Sequence, residues 1–132
     1  MKKVMVFGTF DTLHKGHLNL FGQAGKHGYL IAVVARDETV KKVKGRFPHY
    51  SEKERLKHVK IHVDKAVLGY KTDKYAIIKR INPDIICLGY DQNSFTRDLR
   101  KHFKGKIIRL KAYKPHIYKS SKFKKIESNG KL

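Results

Sequence analysis

Short apolar runs rich in β-branched residues alternate with helical patterns along this chain of 132 residues, and that alternation leaves few architectures open. The runs fall at residues 4–7, 29–35, 63–68, 84–88 and 107–110, each with the length and composition of a buried strand. A helical pattern starts near residues 15–16, where Leu18, Phe21, Ala24 and Gly25 recur at helical spacing. Further patterns span residues 51–61, 73–81, 94–102 and 120–126. Ser51 followed by Glu54 is a capping-box start, and Pro83 stops the helix before it. Strands alternating with helices call for crossover connections and a mainly parallel sheet with helices on both sides. The expected organisation is one α/β domain over residues 1–126, followed by a polar tail at 127–132.

In such sheets ligands sit beyond the carboxyl ends of the strands. Four marked segments follow strands: residues 8–17, 36–46, 69–71 and 89–92. The first is Gly8-Thr9-Phe10-Asp11-Thr12-Leu13-His14-Lys15-Gly16-His17. Gly8 and Thr9 permit a tight turn, and the helix that follows offers free N–H groups and the positive end of its dipole to an anion. His14 and His17 lie three apart, so both can face one phosphate from that first turn. No third ligand stands at a spacing that would make the pair a metal site.

Charge and cysteine content narrow the setting. The formal net charge is +20, from 31 Lys and Arg against 11 Asp and Glu. Residues 101–132 carry 11 basic side chains and one acidic one, half of the whole excess. Such a surface attracts nucleotides, and nucleic acids too. Nucleic-acid binding as a primary role is not expected, because no arginine-rich helix, zinc pattern or aromatic RNA-binding motif accompanies the charge. The lone cysteine, Cys87, sits in an apolar run and reads as a reduced core residue, which predicts a cytoplasmic protein. No stretch of about 18 apolar residues suggests a membrane span, and the N-terminus does not read as a signal peptide.

The string from Gly8 to His17 resembles the H-x-G-H signature of the nucleotidyltransferases, in the form G-T-F-D-x-x-H-x-G-H common in their cytidylyltransferase-like family. The resemblance implies a Rossmann-like three-layer fold with a mainly parallel five-stranded sheet. It also implies an enzyme that joins a nucleoside monophosphate from a triphosphate to a phosphomonoester and releases pyrophosphate. That chemistry needs charge neutralisation and in-line positioning, with no protein nucleophile.

On this resemblance His14 and His17 are catalytic and hydrogen-bond the triphosphate, and Thr9 and Phe10 present donors to a phosphate. Lys44 is the expected catalytic lysine of a mobile loop after a short polar turn, with Arg46 its neighbour. Arg55 matches an arginine that reaches the acceptor or the triphosphate; the plain alternative is an exposed helix arginine. Asp11 orients Lys15 or a bound cation, or caps the helix. Asp91, in Gly89-Tyr90-Asp91-Gln92, resembles the turn that contacts base and ribose; otherwise it opens an Asx-turn. Ser120 and Ser121 resemble the hydroxyl-bearing segment that holds the β- and γ-phosphates, although Lys119 departs from the usual small residue or His. Mg²⁺ or another divalent cation is implied together with the triphosphate.

Over about 125 residues the chain looks closest to the archaeal-type FAD synthases, which transfer AMP from ATP to FMN. The matching strings run over residues 35–46, 64–69 and 82–89, with Asp91 and Gln92. One departure is that residues 111–119 hold no cysteine, where those enzymes typically carry them. Tyr113 and Tyr118 can stack on a flavin ring or belong to the core. The alternatives are a CTP-dependent cytidylyltransferase for glycerol 3-phosphate or another polyol phosphate, a phosphopantetheine adenylyltransferase, or a non-catalytic basic binding module. The expected partners are ATP or CTP and FMN or another phosphomonoester, without a membrane. Relatives often form homodimers.

Overall fold

The computed structural model describes residues 1–73, 75–90, 92 and 98–112. Its elements run β1 (Lys3–Gly8), α1 (Lys15–Gly25), β2 (Tyr29–Val34), α2 (Asp37–Lys44), α3 (Glu52–Lys60), β3 (Lys65–Leu68), α4 (Ala76–Ile81), β4 (Ile85–Leu88), α5 (Leu99–His102) and β5 (Lys106–Arg109). The five strands form one sheet in the order β3-β2-β1-β4-β5, and every pairing is parallel. The expected α/β architecture with its five-stranded sheet is the one observed.

Side chains alternate across the strands, so each strand feeds two cores. Val4, Val6, Leu30, Ala32, Val34, Ile85 and Cys87 meet Phe21 and Ala24 of α1 and Val59 of α3 on one face. Met5, Val33, Ile86 and Leu88 meet Ile77, Ile78 and Leu99 of α4 and α5 on the other. Burial on both faces explains the near-continuous apolar runs. Cys87 is buried, and that burial pushes its thiol up to about 11.

The chain order places β2 and β3 to one side of β1 and β4 and β5 to the other. The switch point therefore lies between the carboxyl ends of β1 and β4.

Helix ends follow local chemistry. Ser51 caps α3, its Oγ accepting from Glu54 N–H at 3.2 Å. Asn82 ends α4 in the left-handed region at φ 53°, just before Pro83. Helix α2 corrects the expectation of a polar turn and mobile loop over residues 36–46. Its first turn carries Asp37 and Glu38, its last turn Lys41, Lys42 and Lys44, and Gly45 terminates it at φ 80°. Charges so placed favour a helix through its dipole. Only Val40 is buried, which leaves the apolar periodicity too thin to read. The expected helix over residues 120–126, and most of residues 94–98, lie outside the described residues.

Candidate active site

The turn between β1 and α1 is built around Gly8. A Cβ at that position would lie 2.6 Å from the Phe10 ring, so only glycine lets the ring fold back over the strand end. Phe10 is held at φ 52° and is buried. Its ring lies 5.3 Å from that of Phe21 and, edge-on, 5.7 Å from that of His17. The apolar core thus supports the imidazole directly.

The two histidines close the helix entry between them. His14 is the N-cap, its Nδ1 accepting from Gly16 N–H at 3.0 Å. His17 Nδ1 accepts in turn from His14 N–H at 3.3 Å. The arrangement is a capping box made of imidazoles, and it corrects the reading in which Asp11 caps the helix. An Nδ1 that accepts carries no proton, so each neutral ring carries its proton on Nε2. The rings lie 4.0 Å apart between centroids. Burial lowers the pKa of both; His17 falls to about 3, with the charges of His14 and Lys44 contributing after burial. Both rings are neutral at physiological pH, with the ε N–H as the donor.

The positive charge of Lys44, at the end of α2, adds to the lowering of the His17 pKa. Lys44 and Arg46 are exposed there, flanking Gly45. The segment that follows returns to the turn, where Asp11 accepts from His49 N–H at 2.7 Å and Tyr50 N–H at 2.8 Å. Asp11 therefore fastens this segment across the mouth of the site.

Arg55 has a position that neither reading of the sequence anticipated. It is completely buried and donates to Tyr50 O at 3.0 Å, Thr9 O at 2.8 Å and Asp37 Oδ1 at 2.7 Å. It thus ties α2, α3 and the turn after β1 together and does not reach a bound acceptor directly. Thr9 enters the site with its carbonyl held by this bond. Beside it Glu52 receives Arg36 Nη1 at 3.0 Å and Asp37 N–H at 2.9 Å, while Arg36 Nε donates to Gly69 O. This network unites the ends of β2 and β3. The pairing of Asp37 and Glu52 with the two arginines was not legible in sequence, because each carboxylate also fits an ordinary first helical turn.

At the end of β4, Gln92 and Arg109 hold the turn that begins at Gly89. Sequence reasoning marked the Gly89–Gln92 string but assigned no role to Gln92 or Arg109. Asp91, Ser120 and Ser121, together with Tyr113 and Tyr118, lie outside the described residues. The structure thus brings Thr9, Phe10, Asp11, His14 and His17 to one turn, with Arg55 bonded to Thr9 O, and Lys44 acts on His17 through its charge.

A family model described as Cytidylyltransferase-like matches residues 5–126. The chain belongs to the cytidylyltransferase-like family. This cytidylyltransferase-like protein is 42% identical, over an alignment of 149 positions, to the FAD synthase of Methanobrevibacter smithii, covering 100% of this chain and 97% of the relative. It is also similar to a crystal structure, that of the lipopolysaccharide core biosynthesis protein from Thermoplasma volcanium GSS1. The match has a TM-score of 0.76 and 36% identity, and it covers 86% of this chain and 98% of the other. The family and the FAD synthase relative identify the chain as a nucleotidyltransferase. No helix among its described residues is long and apolar enough to cross a membrane.

Proposed function

We propose that this cytidylyltransferase-like protein transfers AMP from ATP to FMN, forming FAD and releasing pyrophosphate. The observation that carries this reading is the 42% identity to an FAD synthase over the whole chain. The imidazole pair supports the chemistry. Two neutral rings with ε N–H donors, set at a helix N-terminus, stabilise the negative charge that develops on the α-phosphate and the departing pyrophosphate. Neutral donors suit this task because they lose no proton to the phosphate and need none from solvent. Lys44 and Arg46 add positive charge from the end of α2. No side chain is asked to form a covalent intermediate.

In this reading Thr9, Phe10, Asp91, Ser120 and Ser121 contact the nucleotide. Asp11 and Arg55 act by holding the segment around residues 49–50 and the turn around Thr9. A divalent cation accompanies the triphosphate. Among the described residues no group of three or more His, Cys, Asp or Glu side chains could hold a metal ion, so the phosphates supply most of its ligands.

The test is pyrophosphate release with Mg²⁺, pairing ATP or CTP with FMN, glycerol 3-phosphate or phosphopantetheine. Turnover with ATP and FMN, with FAD as the product, is the expected result. Turnover only with CTP and a polyol phosphate would overturn the assignment and favour the cytidylyltransferase alternative. Silence in all pairings, with salt-sensitive retention of nucleic acid, would favour a binding module.

A further inference from the structure

Three of the four strand pairings close at their carboxyl ends by the same main-chain bond. Ala35 N–H donates to Gly8 O at 2.9 Å, Gly69 N–H to Val34 O at 2.9 Å, and Leu110 N–H to Leu88 O at 2.8 Å. Each donor stands one residue past the register partner of its acceptor, in keeping with the slanted bonds of a parallel ladder.

The β1–β4 pair differs. Its register sets Val4 opposite Ile85 and Met5 opposite Ile86. Carried two residues further, it sets Phe7 opposite Leu88, and the closing bond would run from Gly89 N–H to Phe7 O. The Gln92 side chain occupies that place instead. Gly89 N–H donates to Gln92 Oε1 at 2.7 Å, and Gln92 Nε2 donates to Phe7 O at 3.0 Å. A primary amide, with one acceptor and one donor face, is thus inserted into a single ladder bond much as a peptide group would be. Arg109 of β5 secures the other side of the turn, its Nη1 donating to Gly89 O at 2.7 Å and Gln92 O at 3.1 Å. Gln92 N–H also donates to Gly89 O at 3.1 Å.

We propose that Gln92 is a positioning residue for the nucleotide: its side-chain amide wedges β1 and β4 apart at the switch point and so sets the width of the crevice. One strand leads into the turn that bears Thr9, Phe10 and the two histidines, and the other into the turn that begins at Gly89. The main chain on both sides holds the amide, so Gln92 acts through the two turns. The inference rests on the nucleotide-transfer reading and adds to it the residue that spaces its two halves.

The test compares Gln92→Met, Gln92→Glu and Gln92→Asn with wild type by direct titration of ATP and CTP, by steady-state kinetics and by thermal melting. Met keeps the length and loses both bonds. Glu keeps an acceptor for Gly89 N–H but turns a carboxylate oxygen on Phe7 O. Asn keeps the amide on a shorter stem. The affinity of the preferred triphosphate falls about tenfold in the Glu variant, which reverses one bond, and by at least as much in the Met variant, which loses both, since each bond is worth on the order of one such factor. KM for the triphosphate rises by a similar factor, while kcat and KM for the acceptor stay within about threefold. Should the Met and Glu variants fail to fold, the Asn variant carries the test: its triphosphate affinity falls while its melting temperature stays near that of wild type. Lowered melting temperatures with wild-type triphosphate affinity in the folded variants would make Gln92 a packing residue only and overturn the proposal. Wild-type protein that binds neither ATP nor CTP would defeat the nucleotide-transfer reading, and the proposal with it.

Discussion

Arg55 Nη2 donates to Asp37 Oδ1 at 2.7 Å across 18 residues of sequence, and its guanidinium is completely buried. Burial of a charge is tolerated because each nitrogen of the planar fork meets an acceptor: a carboxylate and two carbonyls. The pair is the joint at which α2 and α3 are locked beneath the turn after β1.

Removing one partner should therefore cost more than removing an exposed ion pair. Arg55→Ala is expected to destabilise the fold by about 3 kcal/mol, as when one member of a buried pair is left behind. Asp37→Asn should cost less, because the Asp37 side chain is 30% exposed. Urea unfolding of both variants checks this, and equal small losses would show that the joint carries little of the stability.

The imidazole capping box separates two jobs of His14. His14→Ala removes both the cap and the ε N–H donor. His14→Asn restores a good cap without placing a donor where the imidazole ε nitrogen sits. The Asn variant should melt near the wild-type temperature, whereas the Ala variant loses about 1 kcal/mol. Both, like His17→Ala, should lose a factor on the order of 10²–10³ in kcat. Near-wild-type turnover in His14→Asn would remove the ring from the chemistry.

The lowered pKa of His17 makes stability depend on pH in a stated direction. Between about 3 and its ordinary value of 6.5 the folded chain binds fewer protons at this ring than the unfolded chain does. Its contribution is complete above 6.5 and is lost as the pH falls towards about 3. The melting temperature should fall between pH 7 and pH 4, and fall less steeply in His17→Gln. Parallel slopes in melts of the two proteins would contradict the shift.

Gly8 should not accept a methyl group. The Cβ of Gly8→Ala would meet the Phe10 ring, which cannot swing away cheaply because it packs on Phe21 and His17. The expected loss is about 1–3 kcal/mol, together with a fall in kcat as the His17 support shifts. Shortening the ring in the double variant Gly8→Ala with Phe10→Leu should recover part of the stability. Measured stability equal to wild type in Gly8→Ala would show that the ring moves freely.

The parallel sheet, the order of its elements and the importance of the turn from Gly8 to His17 were legible because each depends on local pattern. Continuous β-branched runs report burial on both faces, and a glycine turn before a helix reports an anion site wherever it occurs. Helix α2 was missed because a short helix with one buried side chain, Val40, has almost no periodicity.

Sequence by itself determined which residues could meet a phosphate: His14 and His17 stand three apart on one turn, and that spacing is a property of the helix. The tautomers too are local, because Gly16 N–H and His14 N–H donate to the two Nδ1 atoms at the helix entry, whereas only the tertiary structure decided that the rings are neutral, through burial and, for His17, the charge of Lys44. It alone converted Arg55 from a helix arginine into a buried joint and placed the Gln92 amide inside a strand pairing. The physical reason is common to all three. A side chain's partners are set by groups tens of residues away that crossover connections bring to the same end of the sheet, and no local spacing encodes that meeting.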